Sequence, residues 1–369
     1  MLTFLENVSM KKCSIKQVLS IGAVSTLLSG CGGDSPDVAP AKHLFLETRE
    51  FDLQAHRGGL GLVVESTLQS FASGLETGVT TLELDTQITK DGVAVVTHDR
   101  QVSKGKCLDT MPATPGDPLY PYVGRYIKDL TLAQVKTLDC GSLAQSNFPR
   151  QKLVPGVRIP TLREVFDLVK SYKADQVMMN IEIKVEAGAP SETAPRETFV
   201  KTVLDEIRVS GLTRQITIQS FDWGALMLVR KIEPALPIVA LTNGQQFLQV
   251  GVPGASPWLG GIDIDDPQFG GDLVKAAASF GANAISPVAG DPQNGTYGQA
   301  GYVPYTTPDL VSRAHAAGMK VIPWTVDDAA TANYLIDAKV DGIITDYPDV
   351  LRNIMAERGM KLPSLVAKR

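Results

Sequence analysis

The sequence predicts an α/β protein of the TIM-type (β/α)8-barrel class, with an insertion after the second strand. Eight short β-rich runs alternate with amphipathic helical stretches, as expected for a closed parallel barrel. The length of 369 residues fits one barrel with insertions. No GxGxxG motif follows the first strand, which removes the usual reason to prefer an open doubly wound sheet. The predicted strands are Leu53–His56, Thr81–Asp85, Val177–Lys184, Gln215–Ser220, Pro237–Leu241, Ala282–Ser286, Lys320–Val326 and Gly342–Thr345.

Residues 1–30 have the features of a bacterial signal peptide. Lys11, Lys12 and Lys16 precede the apolar stretch Val18–Leu28, which is too short to span a bilayer but suits a signal sequence. The stretch ends in LSGC, which resembles a lipoprotein processing box and implies cleavage before Cys31 and lipidation of its thiol. A plain secretory signal followed by a chance cysteine is the alternative.

Three segments follow the signal. Residues 31–44 are rich in Gly and Pro and are predicted to be a tether, 45–360 the barrel, and 361–369 a C-terminal tail. Helices are predicted at Thr67–Thr77 and Thr161–Ser171, which each place apolar residues on one face, and after Thr307, where Pro308 favours a helix start.

The segment from about 100 to 160 has several prolines and little periodicity, which is typical of a functional insertion or a lid. It contains Cys107 and Cys140, the two cysteines that remain after the signal and the lipidation site are removed. In an oxidising compartment an even pair suggests a disulfide, and two unpaired buried thiols are the alternative.

Polar side chains cluster at the ends of the first three predicted strands. Glu83 and Asp85 alternate on one side of the second strand, and Glu182 and Lys184 do so on the third. The carboxyl ends of barrel strands converge on one face, so three carboxylates are expected to meet there. Like charges held that close need a counterion, and an all-oxygen set suits one divalent cation, Mg²⁺ or Ca²⁺. Separate buried salt bridges are the alternative.

Two of the four histidines, His56 and His98, stand beside these strand ends. Histidine titrates near neutrality and can act as acid or base, which phosphodiester cleavage requires. His43 in the tether and His315 on a helix are expected to have structural or solvated roles. The net charge of −5 gives no basic footprint, so nucleic acid is excluded as a partner.

The strand-end motifs, in order, resemble those of the glycerophosphodiester phosphodiesterase family. They are QAHRGG, ESTLQSF, LELDTQITKDGVAVVTHD, IEIK, QSFDW, IPWTVD and DGIITDYPD, and they span about residues 52 to 350. The resemblance implies a barrel, a divalent cation, and hydrolysis of glycerophosphodiesters to glycerol 3-phosphate and an alcohol.

The resemblance also implies roles for individual residues. It makes His56 and His98 the acid/base pair, Arg57 and Lys184 phosphate ligands, and Glu83, Asp85 and Glu182 metal ligands. Trp324 resembles the family's apolar wall for glycerol, although a barrel-core role is equally open, and Phe221 is similarly ambiguous. Glu65 is expected to support the site, although its surroundings, Val64-Glu65-Ser66-Thr67, depart from the family's Pro-Glu-Asn-Thr. Asp346 is expected to close a strand-end hydrogen-bond network without a catalytic role.

Two other functions remain open from sequence. One is a phosphodiesterase directed at intact phospholipid, including a phospholipase D-like enzyme, and the other is a non-catalytic barrel lipoprotein. Gly32, and not Asp, follows Cys31, and the resemblance to lipoproteins then implies a protein held through Cys31 at the periplasmic face of the outer membrane, with a soluble periplasmic protein as the alternative. The small-molecule diester is the expected partner, apart from the membrane.

Overall fold

The computed structural model describes residues 43–367. Its strands are β1 (Asp52–Ala55), β2 (Thr81–Ile88), β3 (Ala94–Val96), β4 (Met178–Ile183), β5 (Ile216–Ser220), β6 (Ile238–Thr242), β7 (Ala284–Pro287), β8 (Gly290–Asp291), β9 (Val303–Pro304), β10 (Lys320–Val321) and β11 (Gly342–Thr345). Its helices are α1 (Leu44–Glu47), α2 (Leu68–Thr77), α3 (Leu132–Val135), α4 (Leu162–Ser171), α5 (Arg196–Ser210), α6 (Trp223–Ile232), α7 (Gln245–Leu248), α8 (Leu273–Ser279), α9 (Pro308–Ala316), α10 (Ala329–Asp337) and α11 (Pro348–Glu357). Within residues 43–367, no helix combines the length and apolarity needed to cross a membrane.

Eight parallel strands form the barrel, in the order β10, β7, β6, β5, β4, β2, β1, β11. Hydrogen bonds from Asp341 N to Val321 O (2.9 Å) and from Ile344 N to Pro323 O (3.0 Å) join the two ends of this order. The predicted barrel class is confirmed. The seventh strand is shorter than predicted, because Pro323 has no N–H to continue the ladder of β10.

A polar ladder fills the centre of the barrel. Asn180 donates to Gln54 Oε1 (3.0 Å) and Gln219 Oε1 (2.7 Å), and Gln219 donates to Glu83 Oε1 (2.7 Å). Gln54 in turn donates to Asp52 Oδ2 (2.7 Å). All five side chains are buried, so each polar group needs a hydrogen-bond partner. The ladder ends at Glu83, near the barrel mouth, and fixes the orientation of its carboxylate.

The short helix α1 closes the amino-terminal end of the barrel. Phe45 is buried against Met178, Val239 and neighbouring strand residues. His43 was expected in a tether, but its side chain is buried and its Nε2 lies 2.6 Å from Ile216 O. The burial of Phe45 explains the difference, because it draws the preceding residues onto the barrel. The signal and the lipidation site at Cys31 lie outside the described residues.

The chain from β3 to α4 has its own small core, formed by Val95 of β3 together with Val102, Cys107, Tyr122, Ile127, Leu130, Val135, Leu138 and Ile159. Cys107 and Cys140 are joined by a disulfide in this region. The preceding β2–β3 hairpin is antiparallel, pairing Thr86 with Val96. The hairpin and the disulfide together hold the chain that follows β3 beside the barrel mouth.

Candidate active site

A tight turn after β1 places His56 and Arg57 at the barrel mouth. Arg57 has φ 49°, in the left-handed region, and Gly58 follows with φ 84°. A Cβ at Gly58 would lie 2.7 Å from the carbonyl carbon of Ser70 and 2.8 Å from Phe71 N, so only glycine fits. This turn aims the backbone N–H of Arg57 at Glu83 Oε2, 2.9 Å away.

Three carboxylates converge above the polar ladder. Glu83, Asp85 and Glu182 are buried, and one oxygen from each lies within 4.8 Å of the others. Glu83 and Asp85 share a face of β2, and Glu182 pairs with Asp85 in the register of β4. The structure therefore brings together the three residues that the sequence predicts as metal ligands.

The electrostatics of this cluster are those of a cation site. Burial and the neighbouring Asp85 raise the pKa of Glu83, and burial likewise raises the pKa of Glu182. Burial also opposes the charge of Asp85, but Lys184 and nearby cationic groups outweigh it and hold the pKa of Asp85 well below its usual range. The Oδ2 atom of Asp85 is buried and accepts no hydrogen bond from the described residues. An orphaned carboxylate oxygen among three converging acids fits a hard divalent cation.

Two cationic side chains flank the carboxylates. Lys184 Nζ lies 3.0 Å from Glu182 Oε1 and 3.4 Å from Asp85 Oδ1. Arg57 Nε lies 3.3 Å from Asp85 Oδ2, an ion pair without hydrogen-bond geometry. Arg57 Nη1 donates to Glu65 Oε2 at 2.7 Å, so Glu65 anchors the guanidinium from the other side. Both cations therefore lie beside the carboxylates at the barrel mouth.

Each histidine of the site is held by a carboxylate. His56 Nδ1 lies 2.5 Å from Asp346 Oδ1, and His98 Nδ1 lies 2.7 Å from Asp99 Oδ1. In both rings the carboxylate contact is made by Nδ1 and not by Nε2. Burial, with Arg57 and Lys184 nearby, lowers the pKa of His98 to about 4, so its ring is neutral in the free site.

Sequence reasoning expected Asp346 to be part of a strand-end hydrogen-bond network, and the structure shows the contact with His56 that the sequence could not reveal. His315 is exposed and contacts Asp341 at 2.8 Å at the other end of the barrel, in line with the structural or solvated role expected for it. The strand-end position of Asp346, one residue after β11, was the only signal for its role.

A lysine from the disulfide-linked insertion connects both halves of the site. Lys106 Nζ lies 2.6 Å from Glu65 Oε1 and 3.0 Å from Asp99 Oδ2. Burial opposes the charge of Glu65, but Arg57 and Lys106 lower its pKa to about 2. Lys106 precedes Cys107 in the chain, so the disulfide holds the residue that links the partners of Arg57 and His98. Nothing in the sequence marked this lysine.

The turn that carries Glu65 is strained at the next residue. Ser66 has φ 56°, and its buried Oγ has no hydrogen-bond partner among the described residues. Asparagine tolerates this conformation better than serine does. The substitution relative to the family's pattern therefore costs local strain but leaves Glu65 in contact with Arg57.

An aromatic series lines the mouth. Trp324 and Phe221 meet edge to face with centroids 5.3 Å apart, Phe221 meets Phe247 at 5.0 Å, and Phe247 stacks on Trp258 at 4.2 Å. All four are partly exposed, and Trp324 and Phe221 line the cavity that contains the carboxylates. The structure thus places Trp324 and Phe221 at the mouth, and it adds Phe247 and Trp258, which the sequence did not indicate.

Residues 56–350 match the model of the glycerophosphoryl diester phosphodiesterase family. The chain belongs to that family. The matched range begins at His56 and includes both histidines and all three carboxylates of the site.

Two relatives and one solved structure match this chain over most of its length. A glycerophosphodiester phosphodiesterase of Caldanaerobacter subterraneus subsp. tengcongensis is 30% identical over 83% of this chain and 98% of its own length. One of Bacillus subtilis is 26% identical over 91% of this chain and 95% of its own. A solved structure from Silicibacter pomeroyi DSS-3, whose protein carries the same family description, has a TM-score of 0.69 at 27% identity, with 86% of this chain and 99% of that one covered.

Proposed function

We propose that the site at the barrel mouth binds one divalent cation, Ca²⁺ or Mg²⁺, and that His56 and His98 carry out the hydrolysis of glycerophosphodiesters to glycerol 3-phosphate and an alcohol. The observation that carries the proposal is the convergence of three buried carboxylates within 4.8 Å beside two histidines, each fixed by its own carboxylate. The family membership of the chain makes it a glycerophosphodiester phosphodiesterase.

Glu83, Asp85 and Glu182 would hold the cation. When bound, the cation supplies Lewis-acid stabilisation of negative charge on the phosphoryl oxygens. Arg57 and Lys184 stand on either side of the carboxylates, and we assign to them the remaining oxygens of the phosphate. Arg57 is held by Glu65 and Asp85, and Lys184 is held by Glu182 and Asp85. Neither side chain therefore needs to reorganise when the diester binds.

The two histidines differ in what they face. His56 lines the cavity that contains the carboxylates and Trp324 but not the larger cavity outside it, whereas His98 lines both. We assign the glycerol moiety to the inner cavity, beside Trp324. His56 then removes a proton from the attacking oxygen, and Asp346 stabilises the ring when it is charged. The attacking oxygen is water, or it is the neighbouring glycerol hydroxyl, in which case a cyclic phosphate forms and water then opens it to glycerol 3-phosphate. His98 stands at the boundary, beside the bond to the departing alcohol, and protonates that alcohol.

A neutral ring must gain its proton before it can act as an acid. Asp99 and the negative charge of the bound phosphodiester both favour the protonated form of His98, and so oppose burial, Arg57 and Lys184, which lower its pKa. The acid role is assigned to His98 because it lies at the boundary of the two cavities, and not because of its pKa in the free site.

Leaving-group chemistry tests this assignment. A p-nitrophenolate needs no proton to depart, so His98→Ala should retain far more activity on glycerophospho-p-nitrophenol than on glycerophosphocholine. His56→Ala should lose similar factors on both substrates. Equal losses for His98→Ala on the two substrates would refute the acid role of His98.

We further propose that the protein is exported and held at the periplasmic face of the outer membrane by a lipid on Cys31. The described chain enters at the amino-terminal end of the barrel, where Phe45 and His43 are buried. The site lies at the opposite end, at the carboxyl ends of the strands. The basis for the anchor is the signal-like segment that ends in LSGC, which lies outside the described residues. Intact-mass measurement of the purified mature protein checks the lipid: Cys31→Ser should remove the added acyl mass and release the protein from membranes.

The substrate class is tested by a coupled glycerol 3-phosphate assay over a panel of diesters and phospholipid vesicles. We expect release from the dissolved diesters, loss with chelator and recovery with Ca²⁺ or Mg²⁺. Faster cleavage of vesicle phospholipid would favour the phospholipid-directed enzyme, and no turnover of any substrate would favour a non-catalytic lipoprotein.

A further inference from the structure

Two cavities meet at the phosphate site. The inner one, of about 340 Å³, contains His56, the carboxylates and Trp324. The outer one, of about 720 Å³, opens beside it. Both are lined by His98, Glu182, Lys184, Phe221 and Phe247. A phosphodiester bound at this boundary must extend one substituent into each cavity, so the outer one receives the alcohol that leaves.

One wall of the outer cavity is aromatic. Phe221 and Phe247 continue from the inner cavity, and Trp258 stacks on Phe247 with an interplanar angle of 9°. All three rings are partly exposed, so ring surface is available to a ligand. Aromatic faces, tryptophan above all, attract cations through the ring quadrupole.

Acidic groups line the same cavity. Glu186 and Glu192 share a single guanidinium, that of Arg100, and Glu192 also accepts from Tyr126 Oη at 2.9 Å. Arg100 Nη1 lies 3.0 Å from Oε2 of Glu186, so this ion pair engages one carboxylate oxygen and leaves Oε1 outside the pair. A methyl group placed on Gly188 would lie 3.3 Å from this Oε1 and 3.5 Å from Trp258 Cζ2, so carboxylate and indole border the same space.

The cations of the cavity are already engaged or peripheral. Arg100 is neutralised by its two glutamates, and Lys184 by Glu182 and Asp85. Lys104 is exposed at the rim. Among the described residues that line this cavity, an anionic head group would find no buried cation without an acidic partner, whereas a cationic one meets an aromatic wall and a carboxylate oxygen outside the ion pair.

We propose that the outer cavity is a head-group subsite that selects alcohols carrying a positively charged nitrogen, with Trp258 and Glu186 as its specificity-determining residues. Quaternary and primary ammonium alcohols then precede neutral polyols and anionic alcohols as leaving groups. The proposal rests on the proposed hydrolysis of glycerophosphodiesters and names the substrate class of the same site.

The test compares glycerophosphocholine with its uncharged isostere, the 3,3-dimethylbutyl ester of glycerol phosphate, and with glycerophosphoglycerol. The first two differ by one charge at constant shape. The wild-type enzyme should show a KM for the choline ester roughly 3- to 30-fold below that of the isostere, as one cation–aromatic contact provides. Trp258→Ala and Glu186→Gln should each remove most of that ratio, by raising the KM of the choline ester toward that of the isostere.

Glu206→Gln serves as the matched control for Glu186→Gln, because Glu206 also pairs with an arginine, Arg163, but on the outer helices. It should leave all three KM values unchanged. Melting temperatures identify a variant that fails to fold, and Glu186→Gln alone suffices if Trp258→Ala is unstable.

The outcomes separate the two proposals. Equal KM values for the choline ester and the isostere, or equal losses on all substrates in the variants, would overturn the subsite and leave the hydrolysis intact. Absence of glycerol 3-phosphate from every diester would overturn the proposed function and the subsite with it.

Discussion

Replacing Asp346 by asparagine probes the residue whose role the sequence concealed. Its carboxylate contacts His56 Nδ1 at 2.5 Å, and the two side chains are only 8% and 15% exposed. An amide keeps the shape but cannot balance the charge of the imidazolium that forms when His56 takes up a proton.

The size of the effect follows from that contact. A hydrogen bond to a charged group contributes about 1.5–3 kcal/mol, which corresponds to roughly 10- to 150-fold in rate. An amide that donates its N–H to Nδ1 would also stabilise the wrong tautomer, and in Ser-His-Asp triads the equivalent change costs about 10⁴ in kcat. We therefore expect kcat of Asp346→Asn to fall by about 100-fold or more, with little change in KM.

The assay is release of glycerol 3-phosphate from glycerophosphocholine at saturating cation. Asp341→Asn is the matched control, because Asp341 contacts a histidine, His315, at 2.8 Å at the far end of the barrel. It should keep the wild-type kcat. If folded Asp346→Asn stays within about threefold of the wild type, Asp346 does not position a catalytic His56.

Three further predictions concern the cation site, the insertion and the strained turn. The pKa of Glu83 and of Glu182 is raised from 4.5 to about 8 in the metal-free site, so the folded protein binds more protons than the unfolded chain between these pH values. Its Tm should therefore fall as pH rises through this range, and added cation should restore it. Calorimetry in two buffers should show proton release and tighter cation binding toward pH 8, and pH-independent binding would contradict this. Lys106→Met should lower kcat about tenfold by removing the cation shared by two site carboxylates, whereas Lys128→Met in the same insertion should not, and an unchanged kcat would show that the link is only structural. Ser66→Asn should raise stability by about 0.5–1 kcal/mol by relieving a left-handed serine, and a lower Tm would contradict the strain argument.

The barrel and its cation site were predictable because they depend on local pattern. Alternation along β2 puts Glu83 and Asp85 on one face, and the carboxyl ends of parallel strands must meet, so the cluster follows from order along the chain. Strand ends were less predictable, as the early end of β10 at Val321 before Pro323 shows.

Contacts between distant segments could not be predicted in this way. The pairing of His56 with Asp346 spans 290 residues, and Lys106 reaches Glu65 from an insertion without periodicity. His43 was assigned to a tether because Gly and Pro precede it, yet burial of Phe45 two residues later fixes it to the barrel. In each case the deciding interaction joins elements whose relative position only the closed barrel determines.

The central claim is that two histidines beside a three-carboxylate cation site hydrolyse glycerophosphodiesters. The most direct measurement is glycerol 3-phosphate release from glycerophosphocholine by the wild type, His56→Ala and His98→Ala, with cation binding of each variant measured by calorimetry. We predict chelator-sensitive turnover in the wild type and none above background in either variant, although both still fold and bind the cation. Near-wild-type hydrolysis by either folded variant would contradict the claim.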